Sequence, residues 1–189
     1  MSYLPAEWHT QSYIQLTWPH AGTDWKYMLE EVEACFLNLA REIASRQPLL
    51  LAAPEFPKAL EQATYKSNIH FVPCPTNDTW ARDHAFITLV STTDASASCR
   101  LLDFRFNGWG EKFAADKDNR INRTLYDKGV FSGERVDYDD FVLEGGSIES
   151  DGRGTVLTTS VCLMAPHRNQ PMTQAEVETV LKERRCRRR

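Results

Sequence analysis

Short apolar runs alternate with amphipathic stretches along this chain, and that alternation restricts its fold more than any other feature. The runs have the length and composition of β-strands. They cover residues 12–18, 48–54, 68–75, 85–90 and 100–106, with a Ser/Thr/Ala-rich loop at 91–98. Because helical patterns separate several of these runs, we predict an α/β fold with short helices between strands.

Helices are predicted where apolar residues recur every three or four positions. The clearest pattern begins near Thr23 or Asp24 and runs to Ile43. Shorter patterns cover 57–66, with Pro57 in the first turn, and 118–130, where Ile121 and Leu125 carry the pattern. These segments match the short connections expected between strands.

The last third of the chain contains two sharper local signals. Residues 140–159 predict a strand, a Gly-Gly break and a hairpin that turns at Asp151-Gly152. Further on, Thr173 and Glu176 form a capping-box pattern that starts a helix, with a staple between Met172 and Val177. This helix leads into a basic stretch without a following strand, so either a covering strand is missing or the helix ends in a solvated tail.

Composition narrows the class of protein. The fractions of hydrophobic (42%) and charged (25%) residues are those of a soluble globular chain, and no apolar run reaches the roughly 20 residues that span a bilayer. The N-terminus carries no signal-peptide pattern, so we expect a cytoplasmic protein. The five cysteines lie far apart, which favours buried reduced thiols over a disulfide framework or a metal site. We predict no cofactor and no bound metal.

The charge distribution bears on possible partners. The net charge is −4, although residues 182–189 contain six cations and one anion. The rest of the chain is therefore distinctly acidic, which argues against nucleic acid and favours a small cationic ligand. The basic end could make only non-specific contacts with nucleic acid.

Four stretches could carry chemistry: NDTWARD (77–83), FNGWG (106–110), LEGGS (143–147) and TVLTTSVCL (155–163). Trp80 and Asp83 lie three residues apart and could face the same way, or Asp83 could belong to a polar turn and pair with Arg82 or a distant cation. Trp109 stands between two glycines that permit close backbone approach, so it could line a pocket or fill a buried corner. Glu144 ends an apolar strand, where it could serve a site or lie on the surface.

Taken together, these motifs resemble the agmatine deiminase family, which is related to bacterial-type peptidyl-arginine deiminases within the guanidine-modifying superfamily. The stretches that carry the resemblance are PAEWHTQSYIQLTWPH, NDTWARD, FNGWG, LEGGSIESDGRGTVLTT and HRNQPMTQAEVE, in the family's order, and they span the chain to about Leu181. The resemblance implies a pentein-like propeller of five ββαβ modules. About half of these modules would be present in residues 1–181, followed by a basic tail at 182–189.

The family hydrolyses a guanidinium to a ureido group and ammonia, converting agmatine to N-carbamoylputrescine in putrescine biosynthesis. By matching motif, the resemblance assigns Asp83 and Glu144 as catalytic-site carboxylates that hold the guanidinium, and Trp80 and Trp109 as pocket walls. Two carboxylates suit a planar, permanently charged guanidinium with paired N–H donors. An aromatic face can also attract the cation.

The family's nucleophilic cysteine and its acid–base histidine lie downstream of the helix that begins at Thr173, and no residue of this sequence matches either. Cys162 lies in a segment that we expect to be strand-like, and Cys186 lies in the basic tail. We therefore expect the chain alone to be inactive. Alternatives are a peptidyl-arginine or arginine deiminase fragment, a non-catalytic fragment that binds guanidines or complements another chain, or a fragment without independent function. Self-association through exposed strand edges is also expected.

Overall fold

The structure, a computed structural model, describes residues 2–91 and 99–184. The strands in these ranges are β1 (Ser2–Tyr3), β2 (Ile14–Thr17), β3 (Leu49–Ala53), β4 (Ile69–Pro73), β5 (Ile87–Ser91), β6 (Arg100–Arg105), β7 (Glu134–Val142), β8 (Ile148–Ser150) and β9 (Val156–Thr158). The α-helical segments are α1 (Leu29–Ala44), α2 (Ala81–His84), α3 (Gly108–Glu111), α4 (Ile121–Asp127), α5 (Ser160–Leu163) and α6 (Gln174–Glu183). The mixed α/β class predicted from the sequence is confirmed.

The first sheet is parallel, in the order β2-β3-β4, and β3 lies at its centre. Every residue of β3 is buried because apolar clusters cover both faces of the sheet. Leu49 and Leu51 pack against α1 on one face, whereas Leu50 and Ala52 pack against α4 on the other. A centrally placed parallel strand needs a continuous apolar run, which is the pattern of residues 48–54.

The second sheet has the order β1-β5-β6-β7, with β6 and β7 parallel. Its core contains Leu102, Phe104 and Phe141, together with Val177 from α6. Because β6 and β7 run in the same direction, their carboxyl ends lie at one edge of the sheet. The turn at Gly108–Glu111 and the segment that contains Glu144 follow those two ends.

The hairpin and the last helix form as predicted. β8 and β9 pair antiparallel around the turn at Asp151-Gly152. The Thr173 side chain caps α6 and Glu176 completes the capping box, while Met172 packs against the cluster that contains Val177. The helix continues to Glu183, and the guanidinium of the following Arg184 lies over the ring of Tyr138. The rest of the basic tail, residues 185–189, lies outside the described residues, as does most of the loop 91–98.

Three sequence predictions need correction. Residues 57–66 do not form one helix; only the 3-10 turns Lys58–Leu60 and Lys66–Asn68 occur in this region. Cys162 lies in α5 instead of a strand-like segment, because the Thr159 hydroxyl accepts the Cys162 N–H and starts a helical turn. The strand predicted to begin at residue 140, before the Gly-Gly break, begins six residues earlier as β7; charged side chains along its exposed part hid those residues from the sequence pattern.

No helix in the described ranges is both long enough and apolar enough to cross a membrane.

Candidate active site

The loop that carries NDTWARD is held by the side chains of Asn77 and Asp118. Each of them accepts hydrogen bonds from backbone N–H groups at and beside the other. The Asn77 side-chain oxygen accepts the N–H groups of Lys117 and Asp118, at 2.7 and 3.1 Å. The Asp118 carboxylate in turn accepts the N–H groups of Asn77 and Asp78. Asp118 is buried, and burial raises the pKa of its carboxyl to about 6. This reciprocal pair fixes the loop, and the sequence analysis did not identify Asp118.

Asp83 is held in place by two N–H donors. Its half-buried carboxylate accepts the backbone N–H of Gly146 at 3.1 Å and the indole N–H of Trp109 at 3.2 Å. Burial raises the pKa of Asp83, and these two hydrogen bonds oppose the rise. Each carboxylate oxygen receives one of the donors, which fixes the orientation of the group.

Arg82 does not form an ion pair with Asp83, which was one of the two pairings that the polar-turn interpretation allowed. Its guanidinium pairs with Glu7 and Glu149 on the other side of the short helix α2. Its positive charge acts on Asp83 only at longer range. The two consecutive charged residues therefore point to different surroundings.

The glycines of LEGGS allow the segment that follows β7 to approach α2 closely. A Cβ atom at Gly145 would collide with the Arg82 carbonyl oxygen, and one at Gly146 would collide with the Asp83 carboxylate. A larger residue at Gly145 would have to displace the backbone of the NDTWARD loop, and one at Gly146 would have to displace the Asp83 carboxylate. These glycines are what lets the Gly146 N–H reach Asp83.

The FNGWG turn positions Trp109 by an unusual backbone conformation. Gly108 and Gly110 have φ of 67° and 85°, and Trp109 itself lies in the left-handed region with φ of 61°. Such a conformation costs a non-glycine residue on the order of 1 kcal/mol or more. The Asn107 side chain accepts the Gly110 N–H at 2.9 Å and supports the turn. Strain of this kind is typical of functional positions.

A row of aromatic rings includes Trp109, whose indole N–H donates to Asp83. Trp80 packs edge-on against Trp109, with ring centroids 5.5 Å apart, and Trp25 lies 6.1 Å from Trp80. Phe113 continues the row beyond Trp109. Trp80 is 42% exposed and Phe113 is 52% exposed, so these rings form an accessible aromatic wall. The structure therefore brings Trp80 into contact with Trp109, and Trp109 into contact with Asp83.

Glu144 is buried and paired. The Nε–H of Arg168 donates to both Glu144 oxygens, at 2.9 and 3.2 Å. The Glu144 side chain is only 4% exposed, and that of Arg168 is 8% exposed. The alternative that Glu144 lies on the surface is wrong. Arg168 lies in the HRNQP stretch that contributed to the resemblance, but the sequence analysis gave it no role.

His84 and the cysteines lie outside this arrangement. His84 is buried against Thr17, and desolvation lowers its pKa to about 4, so the ring is neutral. Cys74 is buried, and burial raises the pKa of its thiol to about 11, which is the opposite of an activated thiolate. Across the described ranges, no group of three or more His, Cys, Asp or Glu residues could hold a metal ion.

Comparison with known proteins identifies the family of this chain. The sequence pattern of the Porphyromonas-type peptidyl-arginine deiminase family matches residues 3–187. The chain therefore belongs to that family.

Similarity extends to proteins named for agmatine and arginine. A "Putative agmatine deiminase" from Shewanella baltica (strain OS185) is 31% identical over 186 residues, covering 96% of this chain and 49% of that protein. A solved structure described as the "Putative Arginine Deiminase from Porphyromonas gingivalis" is 41% identical with a TM-score of 0.86, covering 97% and 54%. A cysteine-to-serine variant of C. jejuni agmatine deiminase with substrate bound is 36% identical with a TM-score of 0.85, covering 98% and 54%. This chain thus spans about half the length of these relatives.

Proposed function

We propose that this chain is the guanidinium-binding part of a deiminase that hydrolyses agmatine to N-carbamoylputrescine and ammonia. The observation that carries the proposal is the half-buried Asp83 carboxylate, which two N–H donors hold beside an accessible aromatic wall. A carboxylate oriented in this way can accept charge-assisted hydrogen bonds from a guanidinium. The rings of Trp80 and Trp109 can cover the cation and limit its contact with water.

Glu144 is the second carboxylate in this proposal. Glu144 follows β7. Gly146, two residues further along the chain, donates its backbone N–H to Asp83 and so links the segment that carries Glu144 to Asp83. Two carboxylates near one site can orient the planar guanidinium so that its central carbon faces an attacking group. Trp80 and Trp109, which pack against each other, are the proposed walls of the same site.

The chemical step that the family resemblance implies requires residues beyond these. A cysteine thiolate attacks the guanidinium carbon, ammonia leaves with a proton from a histidine, and water then hydrolyses the covalent intermediate to release the ureido product. None of the four described cysteines takes part in the hydrogen bonds of Asp83 or Glu144. We therefore expect the 189-residue chain alone to bind guanidines without turning them over.

Agmatine is the proposed substrate because relatives of this chain carry its name, including the C. jejuni structure with substrate bound. Free arginine and peptidyl arginine present the same guanidinium and differ only at the remote end. Under the same proposal, residues 1–181 form roughly half of a five-module propeller domain. The sequence boundary at 181/182 would then move, because Lys182 and Glu183 continue α6 and Arg184 packs over Tyr138, so the proposed tail outside that domain is residues 185–189.

Ammonia release from agmatine tests the proposal. The purified chain should release none above the uncatalysed rate, with or without alkylation of its cysteines. A longer chain that extends these residues with the downstream half of a relative should release ammonia, and Asp83→Asn in that chain should abolish the reaction. Steady-state kinetics unchanged by Asp83→Asn would remove Asp83 from the proposed role.

A further inference from the structure

Arg168 supplies a guanidinium to the site from within the chain itself. Its Nε–H lies 2.9 and 3.2 Å from the two oxygens of Glu144, in an ion pair that is almost completely buried. Its charge also acts on the Asp83 carboxylate. The side chain that pairs with one proposed substrate carboxylate therefore lies within electrostatic range of the other.

The backbone around Arg168 is tied to the site at several points. The next residue, Asn169, exchanges two hydrogen bonds of 2.9 Å with the backbone of Val142 at the end of β7. On the other side, the carbonyl oxygen of His167 accepts the side-chain N–H of Asn107, which also supports the Trp109 turn. Arg168 is thus held by the same elements that place Glu144 and Trp109.

The charges around the two carboxylates do not provide another partner for Glu144. Arg82 is engaged by Glu7 and Glu149, and His167 lies 3.6 Å from Glu111. When Asp83, Glu144 and Arg168 are all ionised, these three side chains together carry a net charge of −1. That charge matches a single incoming guanidinium cation.

We infer that Arg168 is a positioning residue of the site, because its guanidinium orients the buried Glu144 carboxylate and leaves a net charge of −1 for a cationic ligand. The inference rests on the proposed function for the identity of that ligand. Removing one partner of a buried ion pair leaves an uncompensated charge, so the geometry around Glu144 should depend strongly on Arg168. Arg168 pairs with Glu144 and not with Asp83, so Asp83 is the carboxylate with which a ligand guanidinium would pair.

The first experiment is chemical rescue without agmatine. Arg168→Ala leaves a gap of guanidinium size beside Glu144, which should lower the thermal midpoint. About 10 mM guanidinium chloride should then raise that midpoint above the value in equal sodium chloride, because the free cation can pair with Glu144. The rise should exceed any rise in the wild-type chain and in the exposed control Arg153→Ala, where guanidinium can bind only at Asp83, and a rise no larger than theirs would overturn the pairing. Equal midpoints of Arg168→Ala in the two salts would overturn the pairing.

The second experiment measures agmatine binding by calorimetry at a temperature where each variant is folded. Arg168→Ala should weaken binding at least about tenfold. Arg168→Lys should recover most of the loss because it retains the positive charge, and Arg153→Ala should bind like the wild type. Unchanged affinity in Arg168→Ala would overturn the positioning role even if guanidinium restores stability. Failure of the wild type to bind agmatine would instead contradict the proposed function, and the rescue experiment would still decide the pairing.

Discussion

The indole N–H of Trp109 donates to the Asp83 carboxylate across 3.2 Å, which joins the FNGWG turn to the NDTWARD loop. Trp109 reaches this position only because its own φ of 61° lies in the left-handed region. The same ring packs edge-on against Trp80. One strained residue therefore both orients the carboxylate and forms part of the aromatic wall beside it.

Gly146→Ala should weaken guanidine binding. The new methyl group would collide with the Asp83 carboxylate, so the carboxylate would have to move away from the Gly146 and Trp109 donors. We expect an affinity loss of about tenfold or more, equivalent to about 1.4 kcal/mol. Gly129→Ala is a suitable control, because Gly129 has φ of 71° but open space around its Cβ position. That variant should lose stability through backbone strain and retain its affinity for agmatine; a similar affinity loss in both variants would contradict the specific role of Gly146.

Binding of a guanidine should weaken on acidification at a pH above the usual aspartate range. Burial raises the pKa of Asp83, and only its ionised form attracts the cation, so affinity falls as pH drops through that raised pKa. Asp83's contribution to stability has the opposite sign: it is present at low pH and is lost as pH rises through the folded-state pKa. Carbon NMR titration of the ligand-free chain checks the direction. Exposed Asp151, whose pKa is lowered by the N–H groups of Arg153 and Thr155, should titrate below Asp83, and the reverse order would refute this prediction.

Asn77→Ala should destabilise the chain by about 1–2 kcal/mol, because the backbone N–H groups of Lys117, which is exposed, and Asp118, which is buried, lose their acceptor. The free energy of unfolding from urea titration measures the effect. Asn38→Ala on the exposed face of α1 provides the matched control and should change that free energy by no more than about 0.5 kcal/mol. Equal effects of the two variants would show that the reciprocal pair does not hold the loop.

Self-association should involve the region of β9 and α5. In the described ranges β9 pairs only with β8, and the nearby side chains of Leu157 and Val161 are 66% and 80% exposed. They lie at or beside a groove of about 380 Å³ between β9 and α6. Unpaired strand edges with exposed apolar side chains favour pairing between chains.

Replacing Leu157 and Val161 by lysine should therefore shift sedimentation velocity profiles towards the monomer. Tyr27→Lys, at an equally exposed aromatic position on another part of the surface, should leave the distribution unchanged. A wild-type chain that is already monomeric at high concentration would contradict the expectation.

Local patterns were sufficient to predict the elements whose structure depends on local chemistry. The continuous apolar run of β3 and the capping box at Thr173 are confirmed because burial on both faces and helix capping leave direct traces in sequence. The helix predicted over residues 57–66 was wrong, since weak local preference there gives way to separate 3-10 turns. Charged alternation in β7 concealed six of the nine residues of a strand whose pairing with β6 is a tertiary property.

The candidate site was likewise predictable only where local motifs carried the information. Motifs identified Asp83, Glu144, Trp80 and Trp109 through resemblance, and in the structure Trp109 contacts both Asp83 and Trp80. Arg168 could not be assigned from sequence, because its pairing with Glu144 joins residues 24 positions apart through the packing of a loop against β7. The HRNQP motif was the one available signal, and it did not specify a partner.

Titration calorimetry with agmatine and putrescine tests the central claim most directly, because the two ligands share an aliphatic amine and only agmatine has a guanidinium. The wild-type chain should bind agmatine and not putrescine. Asp83→Asn should weaken agmatine binding by about tenfold or more, since a hydrogen bond to a charged group contributes about 1.5–3 kcal/mol. Asp151→Asn should bind like the wild type. No heat with agmatine at millimolar concentration, or equal affinity in Asp83→Asn, would contradict the assignment of Asp83 as the guanidinium-binding carboxylate.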